Sequence, residues 1–300
     1  MKAKDYIYSR FPESLFQAQG DSQGYLDRLF RGLEKASELN VVITGLCRNI
    51  IHTLDHTMAR LYKTAEFFHD CKIVIYENDS DDGTSEKLRK YAEKDKDLFL
   101  VQEHTGHKQF GATRELERPL YLGELRNKSQ DFIRGLSKFY DIDYVIVIDL
   151  DLEGGWSYDG LMNSFSYSDW SAMTANGIYF REKRVTADGA VEVEIERLFQ
   201  DSWAYRDYGD ESLKRCEVTN LYRFERGEPP KEVFSNFNGL GIYRLEDIKD
   251  CVFGAEENED GTVTNEWSYY HREMRKRGCH VYLNPSMITL YSPHEFSCKV

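Results

Sequence analysis

The sequence offers little that would hold it in a membrane or on a nucleic acid. Nowhere do ~18 successive apolar residues occur, the length that a membrane-spanning helix requires. Lys and Arg number 39 against 52 Asp and Glu, a formal net charge of −13. A phosphate backbone must be met by clustered cations, so no nucleic-acid partner is expected. A small phosphorylated ligand remains compatible, because a metal ion and a few basic residues can offset charge locally. Six cysteines, at 47, 71, 216, 251, 279 and 298, include no Cys-x-x-Cys pair and no dense framework. They read as reduced thiols of a cytoplasmic-type compartment. The stretch from Met1 to Glu13 carries charges and lacks the apolar run of a secretory signal. The expectation is a soluble, cytoplasmic protein with no transmembrane segment, with peripheral membrane contact left open through the aromatic and basic Met1–Arg31 segment. Gly-x-x-x-x-Gly-Lys-Ser/Thr and Gly-x-Gly-x-x-Gly are both missing, which weighs against P-loop and dinucleotide chemistry. Repeats and low-complexity segments are missing too.

What is present is an alternation of strand and helix signals. At 300 residues, 41% hydrophobic and 14% aromatic, the chain can bury one large α/β core. Val41–Thr44, Ile73–Tyr76, Leu98–Val101 and Tyr144–Ile148 are apolar, β-branched runs that read as strands. Between them, Ile50, Leu54, Met58, Leu61 and Ala65, and later Leu122, Leu125, Phe132, Ile133 and Leu136, recur at helical steps. The pattern predicts a mostly parallel central sheet with helices on both faces, preceded by a helical extension over 1–39. The polar run Glu77–Thr84 reads as a turn feeding a helix capped by Thr84 or Ser85. Beyond Gly155 the pattern loosens. Tyr179–Pro230 is long, charged and aromatic, with Asp188-Gly189 as a hairpin-type turn. A helix over about Asn265–Arg277 and a strand at Val281 restore order.

Asp149 and Asp151 end the most apolar strand-like run in the chain. Strict β alternation would point both carboxylates the same way, at the carboxyl edge of a buried strand. Such a pair suits a hard divalent cation, Mn2+ or Mg2+, which shares its shell with substrate phosphate oxygens. In an open α/β sheet ligands bind outside the carboxyl ends of the strands, so Thr44–Asn49, Glu77–Thr84 and Asp149–Gly155 are expected on one edge. Other groupings carry less. Asp79–Gly83 is out of register for a calcium loop, with Lys90 where a Glu is needed. His52 and His56 share a helix face without a third zinc ligand.

These segments, in this order, resemble the nucleotide-sugar-dependent glycosyltransferases of the GT-A fold, closest to the family 2-like group and the fungal capsule-associated mannosyltransferases. Four segments carry the likeness: Thr44 with Arg48-Asn49; Ile75–Thr84; Leu125-Arg126-Asn127 followed by Asp149-Leu150-Asp151; and Asn265–His271 with Asn284-Pro285. The resemblance implies a metal-dependent transfer from a UDP- or GDP-linked sugar to a glycan, glycolipid or protein acceptor. It implies a nucleotide-sugar half at 40–155 and an acceptor half at 156–300 of the same domain. Thr44, Arg48, Glu77, Asp79, Arg126 and Asp149 fall to the nucleotide sugar. Asp149, Asp151 and His294 fall to the metal, Asp151 and Glu266 to catalysis, and Trp156, Asn238 and Gly239 to the acceptor. Glu266 would be the base of an inverting reaction or an acceptor contact of a retaining one. A sugar-phosphate nucleotidyltransferase and a non-catalytic nucleotide- or glycan-binding relative are the alternatives. The late helix departs from the usual acidic-His pair, with Trp267 after Glu266, and Tyr179–Pro230 has no counterpart.

Overall fold

The computed structural model describes residues 10–107, 109–111, 113–187 and 190–291. Its first half alternates α1 (Ser22–Ala36), β1 (Asn40–Cys47), α2 (Leu54–Ala65), β2 (Asp70–Asn78), α3 (Thr84–Ala92), β3 (Leu98–Glu103), α4 (Glu117–Leu136) and β4 (Tyr144–Ile148). The second half adds β5 (Gly155–Trp156), α5 (Tyr158–Ser164), the long pair β6 (Ala172–Ala187) and β7 (Ala190–Phe199), β8 (Arg206–Asp207) and α6 (Cys216–Thr219). It continues through β9 (Lys231–Ser235), β10 (Leu240–Arg244), α7 (Leu245–Ile248), β11 (Glu256–Glu257) and β12 (Val263–Thr264) to α8 (Glu266–Lys276) and β13 (Val281–Leu290).

One sheet runs through both halves, in the order β3-β2-β1-β4-β10-β6-β13-β9-β8. The strands from β3 to β4 are mutually parallel. Beyond β4 the sheet is mixed: β10 runs antiparallel to both β4 and β6, while β6 and β13 are parallel. The period of two along the central strands explains why both faces are covered. Val41, Ile43, Ile73, Ile75, Ile146 and Ile148 join one core with Leu54, Met58 and Leu61 of α2, Leu88 of α3 and Leu161 of α5. Val42, Val74 and Val145 join the other, with Ile133 and Leu136 of α4, Ile248 of α7, and Trp267, Tyr270 and Met274 of α8. The chain winds outward from β1 to β3 and then returns to β4 on the other side. The carboxyl ends of β1 and β4 therefore bracket a switch point of the kind that opens a crevice in α/β sheets.

Two local readings are corrected. The helix after β2 is capped at Gly83, with φ of +94°, which Gly adopts without strain, and not at Thr84 or Ser85. The Asp82 carboxylate accepts the Thr84 amide at 2.9 Å and the Ile51 amide at 2.9 Å, so it serves two turns at once. The stretch after Tyr179 is not irregular throughout. β6 and β7 pair antiparallel up to Ala187 opposite Ala190, and the Asp188-Gly189 turn lies outside the described residues.

The segment before α1 is tied to the second half by charge. The buried Arg226 donates to Glu13 at 2.6 Å and to Ser157 Oγ at 2.8 Å, and Ser157 in turn caps α5. Glu13 also accepts the Asp159 amide at 3.2 Å. Burial, then the nearby Glu13 charge, pushes the Asp159 carboxyl up to about 6 against the pull of Arg226. An unfolded Asp titrates near ~3.9, so the native state holds the proton more tightly and stability falls as pH rises between about 4 and about 6. Asp159→Asn is predicted to raise the melting temperature at pH 7 and to flatten that pH dependence, as read by thermal unfolding across pH 4–7.

Candidate active site

Two groups of polar side chains form at the carboxyl edge of the sheet, and the Asp149–Asp151 turn joins them. In the first, buried Glu77 accepts the Ser80 amide at 3.0 Å, Ser85 Oγ at 2.9 Å and Gln102 Nε2 at 3.0 Å. Its carboxylate shapes the β2–α3 turn. Asp79, held at φ of +51°, accepts the amides of Thr105 at 3.0 Å and Gly106 at 3.1 Å and pairs with His104 at 2.7 Å. Burial would raise this carboxyl, but the bonds from Thr105, Gly106 and Asn78 outweigh it and hold Asp79 well below the usual carboxylate range. Arg48 donates to the His107 carbonyl at 2.8 Å, and Asn49 bonds Ser80 and Asp81, so the loops after β1, β2 and β3 are laced together.

The second group surrounds a buried guanidinium. Arg126, on α4, is 8% exposed. It lies 3.4 Å from Asp149 Oδ1 and 3.7 Å from Glu266 Oε1, with its Cζ 4.5 Å from the centre of the Trp267 ring. Glu266 is the first residue of α8, behind the Asn265 cap that accepts the Ser268 amide at 2.9 Å. Burial, offset by Arg126, pushes the Glu266 carboxyl above its ordinary value. Asp201, beyond the end of β7, joins them: burial, and more weakly the charge of Asp149, raise its carboxyl against bonds from the Asn238 and Ala204 amides.

Asp149 and Asp151 do not share one strand face. β4 ends at Ile148, and Leu150 and Asp151 turn away from it. The ladder reaches one step further, with the Asp149 amide donating to the Gly239 carbonyl at 2.8 Å. Asp149 then faces the Arg126 group. Asp151 is exposed, on the side of Glu77 and Asp82: burial first, and then these three carboxylates, push up the buried Cys47 thiol. Asp149 thus faces the Arg126 group, while Asp151 stands exposed within electrostatic reach of the Cys47 end of β1.

Other expected site residues lie elsewhere. Trp156 is 1% exposed and donates Nε1 to Thr64 Oγ1 at 3.0 Å, so it is a core residue and offers no face to an acceptor sugar. Thr44 bonds Ser129 Oγ at 2.9 Å beside a void of about 30 Å3 under α4, a volume for a water or two and not for a nucleotide. Arg126 is committed to two carboxylates and an aromatic face instead of standing open for a forked phosphate contact. Asn238 and Gly239 are fully buried or nearly so, in a turn with φ of +56° and +76°. They shape the floor at Asp149 and are not an acceptor surface. His294 lies outside the described residues. Among the described residues no three His, Cys, Asp or Glu side chains gather closely enough to hold a metal ion on their own.

Asp201 escaped the reading of the sequence. Its signal was the alternation Val191-Glu192-Val193-Glu194-Ile195-Glu196, which marks a strand leading to an acidic residue as the Asp149 strand does.

No family model and no curated protein matches the sequence. Among solved structures, GalNAc-T7 with UDP, GalNAc and Mn2+ is 12% identical, with 85% of this chain and 44% of that chain covered and a TM-score of 0.48. The mannosyltransferase PcManGT from Pyrobaculum calidifontis, with GDP-Man and Mn2+, is 13% identical over 92% and 65%, with a TM-score of 0.47. TarS 1–349 of S. aureus with UDP-GlcNAc is 14% identical over 86% and 60%, with a TM-score of 0.44. The chain thus spans between 44% and 65% of the length of these structures. At that distance the similarity assigns no role to any residue here.

Removing one member of a buried ion pair strands the other, at a cost of about 3–5 kcal/mol. Arg126→Ala leaves Asp149 and Glu266 without their common cation. It is predicted to lose about 3 kcal/mol or more in urea unfolding, with Arg126→Lys intermediate because the fork and the Trp267 stacking are lost while the charge stays.

Proposed function

We propose that this protein is a glycosyltransferase that takes a sugar from a UDP- or GDP-linked donor. The observation that carries this reading is the Asp149–Asp151 turn at the switch point, with Asp149 held 3.4 Å from Arg126, itself beside Glu266, and Asp151 exposed at the carboxyl edge of the sheet. A nucleoside diphosphate lying across the crevice would meet both groups.

The carboxylate chemistry of the turn suits a divalent cation of the hard class, which would have to lie between the different sides that Asp149 and Asp151 face. Asp149 and Asp151 supply two carboxylates, and Mn2+ or Mg2+ completes its shell with phosphate oxygens when the protein offers only one or two such ligands. Bound there, the cation would offset the charge that grows on the departing diphosphate. His294 is proposed as an added ligand on the resemblance alone. Glu77, Asp79 and Arg48 belong to the nucleotide side. Glu77 accepts three bonds from its turn and keeps one of about four acceptor sites for a ribose hydroxyl or a base N–H, while Asp79, whose oxygens are filled by Thr105, Gly106, Asn78 and His104, would hold the loops that border the nucleotide.

Glu266 is proposed as the base. It stands at a helix N-terminus, where ~0.5 of a positive charge stabilises the carboxylate, and burial raises its pKa toward the range in which proton uptake from an acceptor hydroxyl is effective. Arg126 fixes its direction. A retaining reaction requires no base, and Glu266 would then only contact the acceptor.

In a thermal-shift panel, one of UDP and GDP is predicted to stabilise the protein only with manganese present, because ligands that bind the native state raise its melting temperature. A preference for nucleoside triphosphate, or stabilisation without metal, overturns the proposal. Asp151→Asn is predicted to keep the fold and to lose sugar-nucleotide hydrolysis or transfer by about 100-fold or more, in line with the loss of a transition-state charge partner. The rate should also fall as pH drops through the raised Glu266 pKa, and Glu266→Gln should abolish both rate and acid limb. Full activity in that variant leaves only the retaining version.

A further inference from the structure

Asp201 stands where the β6–β7 insertion returns to the body of the protein. Its backbone is in the left-handed region, with φ of +65°, which Asp tolerates better than most residues. Its two oxygens are used separately. Oδ1 accepts the Ala204 amide at 3.1 Å, which closes the turn after β7. Oδ2 accepts the Asn238 amide at 3.1 Å, which reaches a different element. Asn238 and Gly239 are themselves two successive residues at positive φ. A turn of that kind keeps its shape only when its surroundings fix it. On its far side the Gly239 carbonyl takes the Asp149 amide at 2.8 Å, and the Asn238 carbonyl takes Thr289 Oγ1 at 2.7 Å.

A continuous path therefore leads from a carboxylate on the insertion, through one peptide turn, to the backbone of Asp149. We infer that Asp201 is a positioning residue, which sets the Asn238–Gly239 turn and through it the direction of Asp149. The two N–H donors explain the residue type. A serine or asparagine side chain has one acceptor oxygen where two separate amides must be met, and only a carboxylate supplies both. The inference deepens the proposed function and rests on it for the purpose that Asp149 serves. The hydrogen-bond path itself does not.

Asp201→Asn is the test, because asparagine keeps the size and the left-handed backbone and removes one of the two acceptors. In the ligand-free variant the Asp149 amide should exchange with deuterium at least tenfold faster than in the wild type, with the amides of β2 unchanged. The manganese concentration that gives half-maximal thermal stabilisation at saturating UDP or GDP should rise about tenfold. Asp201→Glu, which displaces the carboxylate by one methylene, should move both quantities in the same direction and serves if the asparagine variant folds poorly. Unchanged exchange at Asp149 overturns the inference, whatever the protein binds. Faster exchange at Asp149 supports it even where neither nucleotide stabilises the wild type, an outcome that overturns the proposed function instead.

Discussion

The buried carboxylate of Glu266, which would cost several kcal/mol to bury alone, and the half-buried one of Asp149 share the guanidinium of Arg126. That sharing fixes three elements against one another. Arg126 comes from α4, Asp149 from the end of β4 and Glu266 from the start of α8, and the Trp267 ring closes over the cation. Because the ion pairs are short of ideal forked geometry and carry an excess of negative charge, the group is held by its surroundings as much as by its own attraction. The Asn265 cap, the Gly239 carbonyl and the stacked rings of Phe237 and Trp267, 3.7 Å apart, supply that support.

The same arrangement joins parts of the chain that are far apart in sequence. The first four strands build the parallel side of the sheet and the acidic turns at its edge. The strands after Gly155 extend that sheet and send Asp201 and Asn238 back to the end of β4. The carboxyl edge thus has contributions from both halves, and neither half completes it alone.

Much of this architecture was legible because one physical signal dominates the first half. Apolar runs at Val41, Ile73 and Tyr144 are continuous, as strands buried on both faces must be, and the intervening helices repeat their apolar residues at helical steps. The acidic turns were legible for the same reason, since they end those runs. What was not legible depends on contacts distant in sequence. Trp156 looks like a sugar platform until Thr64 takes its indole N–H and the core closes over it. Arg126 looks like a phosphate contact until Glu266, 140 residues later, is seen beside it. The β6–β7 pair was hidden by its charge. A stretch in which Glu alternates with apolar residues does not stand out as an apolar run, and its charge reads as loop.

The tie between Glu13 and Arg226 bears on how this protein can be handled. A shortened chain beginning at α1 would seem harmless, since Glu13 sits in a single turn of 3-10 helix with no buried residue of its own. Yet that glutamate is the ion-pair partner of an arginine that is 4% exposed, and it also supports the serine that caps α5. Cutting it away would leave that buried cation without its ion-pair partner, with only the neighbouring Asp159 to offset its charge, so expression boundaries belong upstream of Pro12.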